Sequence, residues 1–127
     1  MPRIKQSSLL FFQPILFMSL LHNLLDNAYQ DTQFLTELHQ QGDDLVLFRK
    51  VHFVFFGKDK EKTLSLAEFI QDNQYAEVVI EERESTFVLK ATIQMPITQQ
   101  LLCSISALMT CLSELFGVEY DGWECED

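Results

Sequence analysis

Hydrophobic and polar positions alternate along this chain with periods that change at well-marked points. Leu20, Leu21, Leu24, Leu25 and Ala28 recur at helical spacing from about Ser19. A second short helix is predicted over Asp31–Leu38, with Asp31 as N-cap and Gly42 as its stop. Lys50-Val51-His52-Phe53-Val54-Phe55-Phe56 reads as a strand that is apolar on both faces from Phe53 to Phe56, ended by Gly57. Such a strand belongs in the middle of a sheet, with helices on one face and an extra helix or a second subunit on the other. Asp59 to Asn73 then reads as a helix with Leu64, Ala67 and Ile70 inward and Leu66 and Phe69 flanking; Asp59 or Ser65-x-x-Glu68 marks its start.

Ala76–Glu82 and Thr86–Gln94 form a hairpin about Arg83-Glu84-Ser85. Val78 and Ile80 alternate with Glu77, Val79 and Glu81, whereas Phe87, Leu89, Ala91 and Ile93 make one apolar row. Pro96 precedes a long helix whose expected core face is Leu101, Ile105, Leu108, Leu112 and Leu115, with Gly117 beyond its end and a last strand over Val118–Glu124. Strand, helix, strand, strand, helix, strand after one or two N-terminal helices predicts an α+β, ferredoxin-like βαββαβ sandwich. The first and third strands are then central, and the edges carry Glu77 and Glu81 on one side and Glu119 and Asp121 on the other. Charge on an edge strand also blocks unwanted pairing.

The chain's 127 residues suit one core, and 47% hydrophobic with 22% charged residues is an ordinary globular balance. Residues 1–30 read as an N-terminal extension and amphipathic helix, and 31–127 as the domain proper. Arg3 and Lys5 before the apolar run from Leu9 faintly resemble a secretory leader, but Gln13-Pro14, the lack of a small-x-small site and the early His22, Asn23 and Asp26 argue against a leader or a membrane span. Met18 heads the amphipathic helix, so residues 1–17 are a candidate upstream extension.

Nineteen acidic against nine basic side chains leave a formal charge of −10, which disfavours nucleic acid and favours a basic protein partner. Cys103, Cys111 and Cys125 have neither zinc nor disulfide-scaffold spacing, which points to a reducing cytoplasm, with Cys103 and Cys111 expected in the core and Cys125 open to solvent.

Chemistry is hard to find. His22, His39 and His52 are scattered, the glycines stand alone, and Gly57-Lys58-Asp59 is no phosphate loop. Neither a cofactor nor a metal is expected. Asp43-Asp44 suggests either a metal ligand pair or, more commonly, a solvated turn. Arg49–Phe56 has the aromatics of a base-stacking surface but lacks the glycines of that motif, so Phe53, Phe55 and Phe56 are assigned to the core. His52 reads as a hydrogen-bonded sheet histidine. The remaining polar feature is acidic: Glu77, Glu81, Glu82 and Glu84 around the hairpin, and Glu119, Asp121, Glu124, Glu126 and Asp127 at the C-terminus.

Phe116-Gly117-Val118-Glu119-Tyr120-Asp121-Gly122-Trp123-Glu124 resembles the closing signature of the family called regulator of ribonuclease E activity B. Gln41-Gly42-Asp43-Asp44-Leu45, and Arg49 leading into an aromatic strand, are similar to that family as well. The resemblance implies a ferredoxin-like domain that is not an enzyme. It implies binding to an arginine-rich segment in the non-catalytic C-terminal region of ribonuclease E, and restraint of RNA cleavage. The candidate protein-binding residues are Glu119, Tyr120, Asp121, Gly122, Trp123, Glu124, Glu77, Glu81, Asp43 and Asp44. Taken by itself, Asp121-Gly122 is a turn or bulge dipeptide, and Tyr120 and Trp123 either cap the core or present a partly exposed anchor in a carboxylate rim. The alternative function is a ligand-sensing or scaffold module that forms a homodimer through its sheet face.

Overall fold

The structure, a computed structural model, describes residues 14–126, with side chains from Ser19 onward. Most of the candidate upstream extension, residues 1–17, lies outside the described residues. Helix α1 (Pro14–Gln40) is followed by β1 (Arg49–Gly57), α2 (Lys60–Asp72), β2 (Glu77–Arg83), β3 (Thr86–Met95), α3 (Gln99–Phe116) and β4 (Glu119–Cys125). The fold is α+β: the four strands make one antiparallel sheet in the order β2-β3-β1-β4, so β1 and β3 are central.

Strand periodicity explains the layering. Val51, Phe53 and Phe55 of β1, with Leu89, Ala91 and Met95 of β3, point to one face and are sealed by Leu66, Ala67 and Ile70 of α2 and by Leu102, Met109 and Leu112 of α3. Leu35 of α1 completes this core. Lys50, His52, Val54 and Phe56 point to the opposite face, so Phe56 lies outside the core that Phe53 and Phe55 occupy.

Of the one or two N-terminal helices expected, one is found, and it joins the segments read separately at about Ser19–Ala28 and Asp31–Leu38. Leu24, Asn27, Asp31, Leu35 and Leu38 fall at spacings of three or four, a single stripe that runs through Asp31 without a break. Asp31 is therefore a buried mid-helix residue rather than an N-cap. The expected boundary between residues 30 and 31 falls inside α1. Gly42 does end this helix: at φ +90° its N–H donates to His39 O, and Asp43 N–H donates to Leu38 O, the paired bonds of a Schellman turn.

On the other helices the expected inward residues Ala67, Ile70 and Leu112 are buried, but the rest of each buried face differs from the expected one. On α2, Asp59 caps the first turn through Lys62 N–H, Thr63 and Leu66 are buried, and Leu64 is exposed. On α3, Leu102, Ser106, Met109 and Leu112 face inward, while Leu101, Cys111 and Leu115 are exposed. Almost every face of α3 is apolar, so periodicity alone could not orient it; contact with α1 does. Asn23 reaches Glu114, Asn27 donates to Thr110, and Gln99 donates to Thr32, so the two helices run antiparallel.

Gly57 closes β1 against α2, and a β-carbon built there overlaps Thr63 Oγ1. That hydroxyl is itself fixed, donating to Asp59 O at 2.8 Å. Gly57→Ala should lower unfolding free energy by about 1–3 kcal/mol, as overpacking does elsewhere. Adding Thr63→Ala should recover part of the loss in chemical denaturation; equal stability of Gly57→Ala and the unmodified protein would contradict this packing.

Candidate functional site

Strand β4 carries most of the acidic C-terminal signature, and its pairing determines which way each side chain points. Phe56 pairs with Glu119, Phe55 with Tyr120, Phe53 with Trp123 and His52 with Glu124, with a register shift between Phe53 and Phe55. One residue of β1, Val54, is thus matched by two of β4, a β-bulge at Asp121-Gly122 with Gly122 at φ +98°. Both rings consequently point inward, and Glu119 and Glu124 both point outward.

Inside, the rings are held by hydrogen bonds. Trp123 Nε1–H donates to Asp31 Oδ1 at 2.9 Å, and the indole edge meets Phe34 at a centroid distance of 5.3 Å. Tyr120 Oη pairs with Ser106 Oγ at 3.1 Å, and the ring packs on Phe55 at 5.3 Å. Burial pushes the Tyr120 phenol up from its ordinary value. Ser113 Oγ takes Tyr120 N–H at 3.2 Å and donates to Val118 O, tying the end of α3 to the start of β4. Of the two alternatives for these rings, the core-capping one matches this geometry: the pair joins β4 to α1 and α3.

Asp31 is the unexpected member of this cluster. Its Oδ2 is buried with no hydrogen-bond partner, and burial raises its pKa against the opposing effect of the Trp123 hydrogen bond. The spacing that places Asp31 on the stripe of Leu24, Leu35 and Leu38 was the available signal; its fitness as an N-cap obscured it.

Outside, the register builds two rows across the exposed sheet face. One runs Glu81, Val88, Phe56, Glu119; the other runs Glu77, Thr92, His52, Glu124. Each row ends in a carboxylate at both sheet edges. Between them lies the row Val79, Lys90, Val54. Arg83 pairs with Glu81 at 2.7 Å and Lys90 with Glu124 at 3.4 Å, whereas Glu77 and Glu119 have no cationic partner among the described residues. His52 bridges Thr92 Oγ1 at 2.7 Å and Glu126 Oε1 at 3.2 Å. Beside the first row a polar cleft of about 410 Å³ opens between Asn23, Asn27, Glu114, Glu119 and Tyr120.

Asp43 and Asp44 stand apart from these rows. Asp43 binds Arg49 at 2.8 Å, and the guanidinium holds its carboxyl below the usual range; Asp44 Oδ1 accepts from Val46 N–H. The two aspartates therefore fasten the turn leading into β1. Among the described residues no group of three or more His, Cys, Asp or Glu side chains is placed to hold a metal ion, and no helix is long and apolar enough to cross a membrane.

The family model described as regulator of ribonuclease activity B matches residues 28–125, more than half of the chain, and the chain belongs to that family. No curated protein matches it at a significant level. The match spans α1 from Ala28, all four strands and the whole β4 signature.

Because Asp31 has a raised pKa, the native protein retains a proton over a pH range in which the unfolded chain, with its carboxyl near 3.8, has lost it. Its contribution to stability therefore falls as pH rises above about that value. Asp31→Asn keeps an oxygen for the Trp123 indole N–H and removes the buried charge. It should raise Tm at pH 7, with the gain shrinking as pH approaches 4 in melts followed by circular dichroism. A gain that is constant with pH would show that the Asp31 charge is not its source.

Proposed function

We propose that this member of a ribonuclease-regulating family acts by binding rather than by catalysis, using the carboxylates that end the two rows of its outer sheet face to seat an arginine-rich protein segment. The family membership supports a role in controlling ribonuclease activity, and the resemblance of the β4 signature points to the C-terminal region of a ribonuclease E-type enzyme. The ferredoxin-like reading of the fold rests on the βαββαβ order and on the central placement of β1 and β3. Three unpaired cysteines favour a reducing, cytoplasmic setting.

The observation that carries the proposal is the spacing of the rows. They are four residues apart along β1, from Phe56 to His52, which is about 13 Å at ~3.3 Å per residue. An extended segment carries residues i and i+4 on one face at the same spacing, so two arginines of one segment reach one glutamate in each row. Val54 and Val79 between the rows, with Phe56 in the first, accept the aliphatic stems of those side chains. The cleft at Glu114 and Glu119 offers a third carboxylate-lined seat. Burying such charges is favourable only when each is paired, and Glu77 and Glu119 are the carboxylates most open to a new partner. The −10 net charge speeds the encounter.

Binding of a fluorescent arginine-rich peptide from such a nuclease, followed by anisotropy, should be strong at low salt and weaken steadily as salt rises. Joint replacement Glu77→Gln, Glu81→Gln, Glu119→Gln and Glu124→Gln should raise Kd at least tenfold, about 1.4 kcal/mol, with the melting curve kept. The same replacement should release inhibition of RNA cleavage. An absence of binding at low salt would sink the proposal.

A further inference from the structure

Helix α3 contains 18 residues and a single charged side chain, Glu114. Its sheet-facing side holds Leu102, Met109 and Leu112, and its α1-facing side holds Cys103, Thr110 and Glu114. The remaining arc faces outward: Leu101, Ser104, Leu108, Cys111 and Leu115, in alternating steps of three and four residues. Leu101 is 38% and Leu115 72% exposed, Cys111 is exposed and Leu108 is half-buried. A helix that covers a sheet ordinarily turns charge toward water; α2 does so with Glu61, Glu68 and Asp72. The outward arc of α3 carries none.

From this arrangement we infer that the outer stripe of α3 is a homodimer interface on which a second copy of the chain packs by α3-to-α3 contact. Three-and-four spacing of apolar residues is the pattern by which two helices interlock, and a two-fold axis uses the same stripe on both copies. Charge selects the occupant. Two chains of −10 each repel wherever carboxylates meet, and this uncharged arc is a place where like copies approach without opposing them. A basic segment would find no carboxylate on it. The expected self-association through the sheet face is thereby moved to the opposite layer, leaving the glutamate rows free in the dimer.

One helix pair buries less than the roughly 1,200 Å² of a stable interface. Leu21 and Leu25 are exposed as well, near the end of α1 that meets Glu114. The dimer is therefore a weak one, with dissociation expected at tens to hundreds of micromolar, roughly 5–6 kcal/mol of association.

Sedimentation velocity on the full chain, from about 10 to 500 μM, tests this range. The mass should rise with concentration, and more steeply at high salt, because screening relieves repulsion between like copies; that is the opposite of the salt response of arginine-peptide binding, so the two proposals fail separately. Leu115→Glu, at a freely exposed site, should leave a monomer with an unchanged melting curve, whereas Leu47→Glu, on the exposed turn before β1, should not alter assembly. In a Cys103→Ser, Cys125→Ser background, a short bis-maleimide should link two copies through Cys111, and Cys111→Ala should remove the product. A monomer at every concentration and salt would overturn the inference. So would an assembly that Leu115→Glu leaves intact and Cys111 does not cross-link.

Discussion

Between Phe53 and Phe55 of β1, the partner strand β4 carries one residue more than pairing requires, and the arrangement of its acidic signature follows from that insertion. In a regular strand, residues three apart point to opposite faces, and so do residues five apart. The bulge at Asp121-Gly122 reverses both relations: Tyr120 and Trp123 turn inward together, and Glu119 and Glu124 turn outward together. Gly122 accommodates the backbone at φ +98°, a region that a side chain disfavours. Without the extra residue, one ring would face water and one glutamate the core. Hydrogen bonding then fixes the rings, Trp123 to Asp31 and Tyr120 to Ser106, so the edge strand is fastened to two helices by the residues beside its carboxylates.

The molecule divides its charge by layer. One carboxylate, Asp31, is placed in the helix–sheet seam, where burial makes its ionised form costly and the indole N–H partly offsets that cost. The carboxylates of β2 and β4 sit at the rims of the outer sheet face, where water and two intramolecular ion pairs moderate them. The outward arc of α3 is uncharged. In the two binding modes proposed above, these surfaces respond to salt in opposite directions.

Much of this was legible in the chain. The run Phe53 to Phe56 identified a central strand because both its faces are apolar, and the alternation of Glu77, Val79 and Glu81 with Val78 and Ile80 identified an edge. Less legible were matters decided between elements. Asp31 satisfies the local requirement for an N-cap, and only the distant indole of Trp123 explains a carboxylate in mid-helix. The orientation of α3 was hidden because Leu101, Leu102, Leu108, Met109, Leu112 and Leu115 give it two apolar faces, and the polar contacts from α1 choose between them. Asp43 and Asp44 looked like part of the acidic surface, yet Arg49, six residues from Asp43, engages Asp43 in the turn. The pairing of Glu81 with Glu119, and of Glu77 with Glu124, across the sheet depends on strand order and register, which no local pattern contains.

The separation of roles along β4 is tested most directly by titrating the same labelled arginine-rich segment with the Trp123→Phe protein under conditions where it remains folded. Removing the indole N–H should loosen β4 from α1 and lower Tm, while affinity stays within about twofold because the outward carboxylates keep their places. A loss of tenfold or more in the folded protein, about 1.4 kcal/mol, would make Trp123 itself the docking anchor and contradict the account.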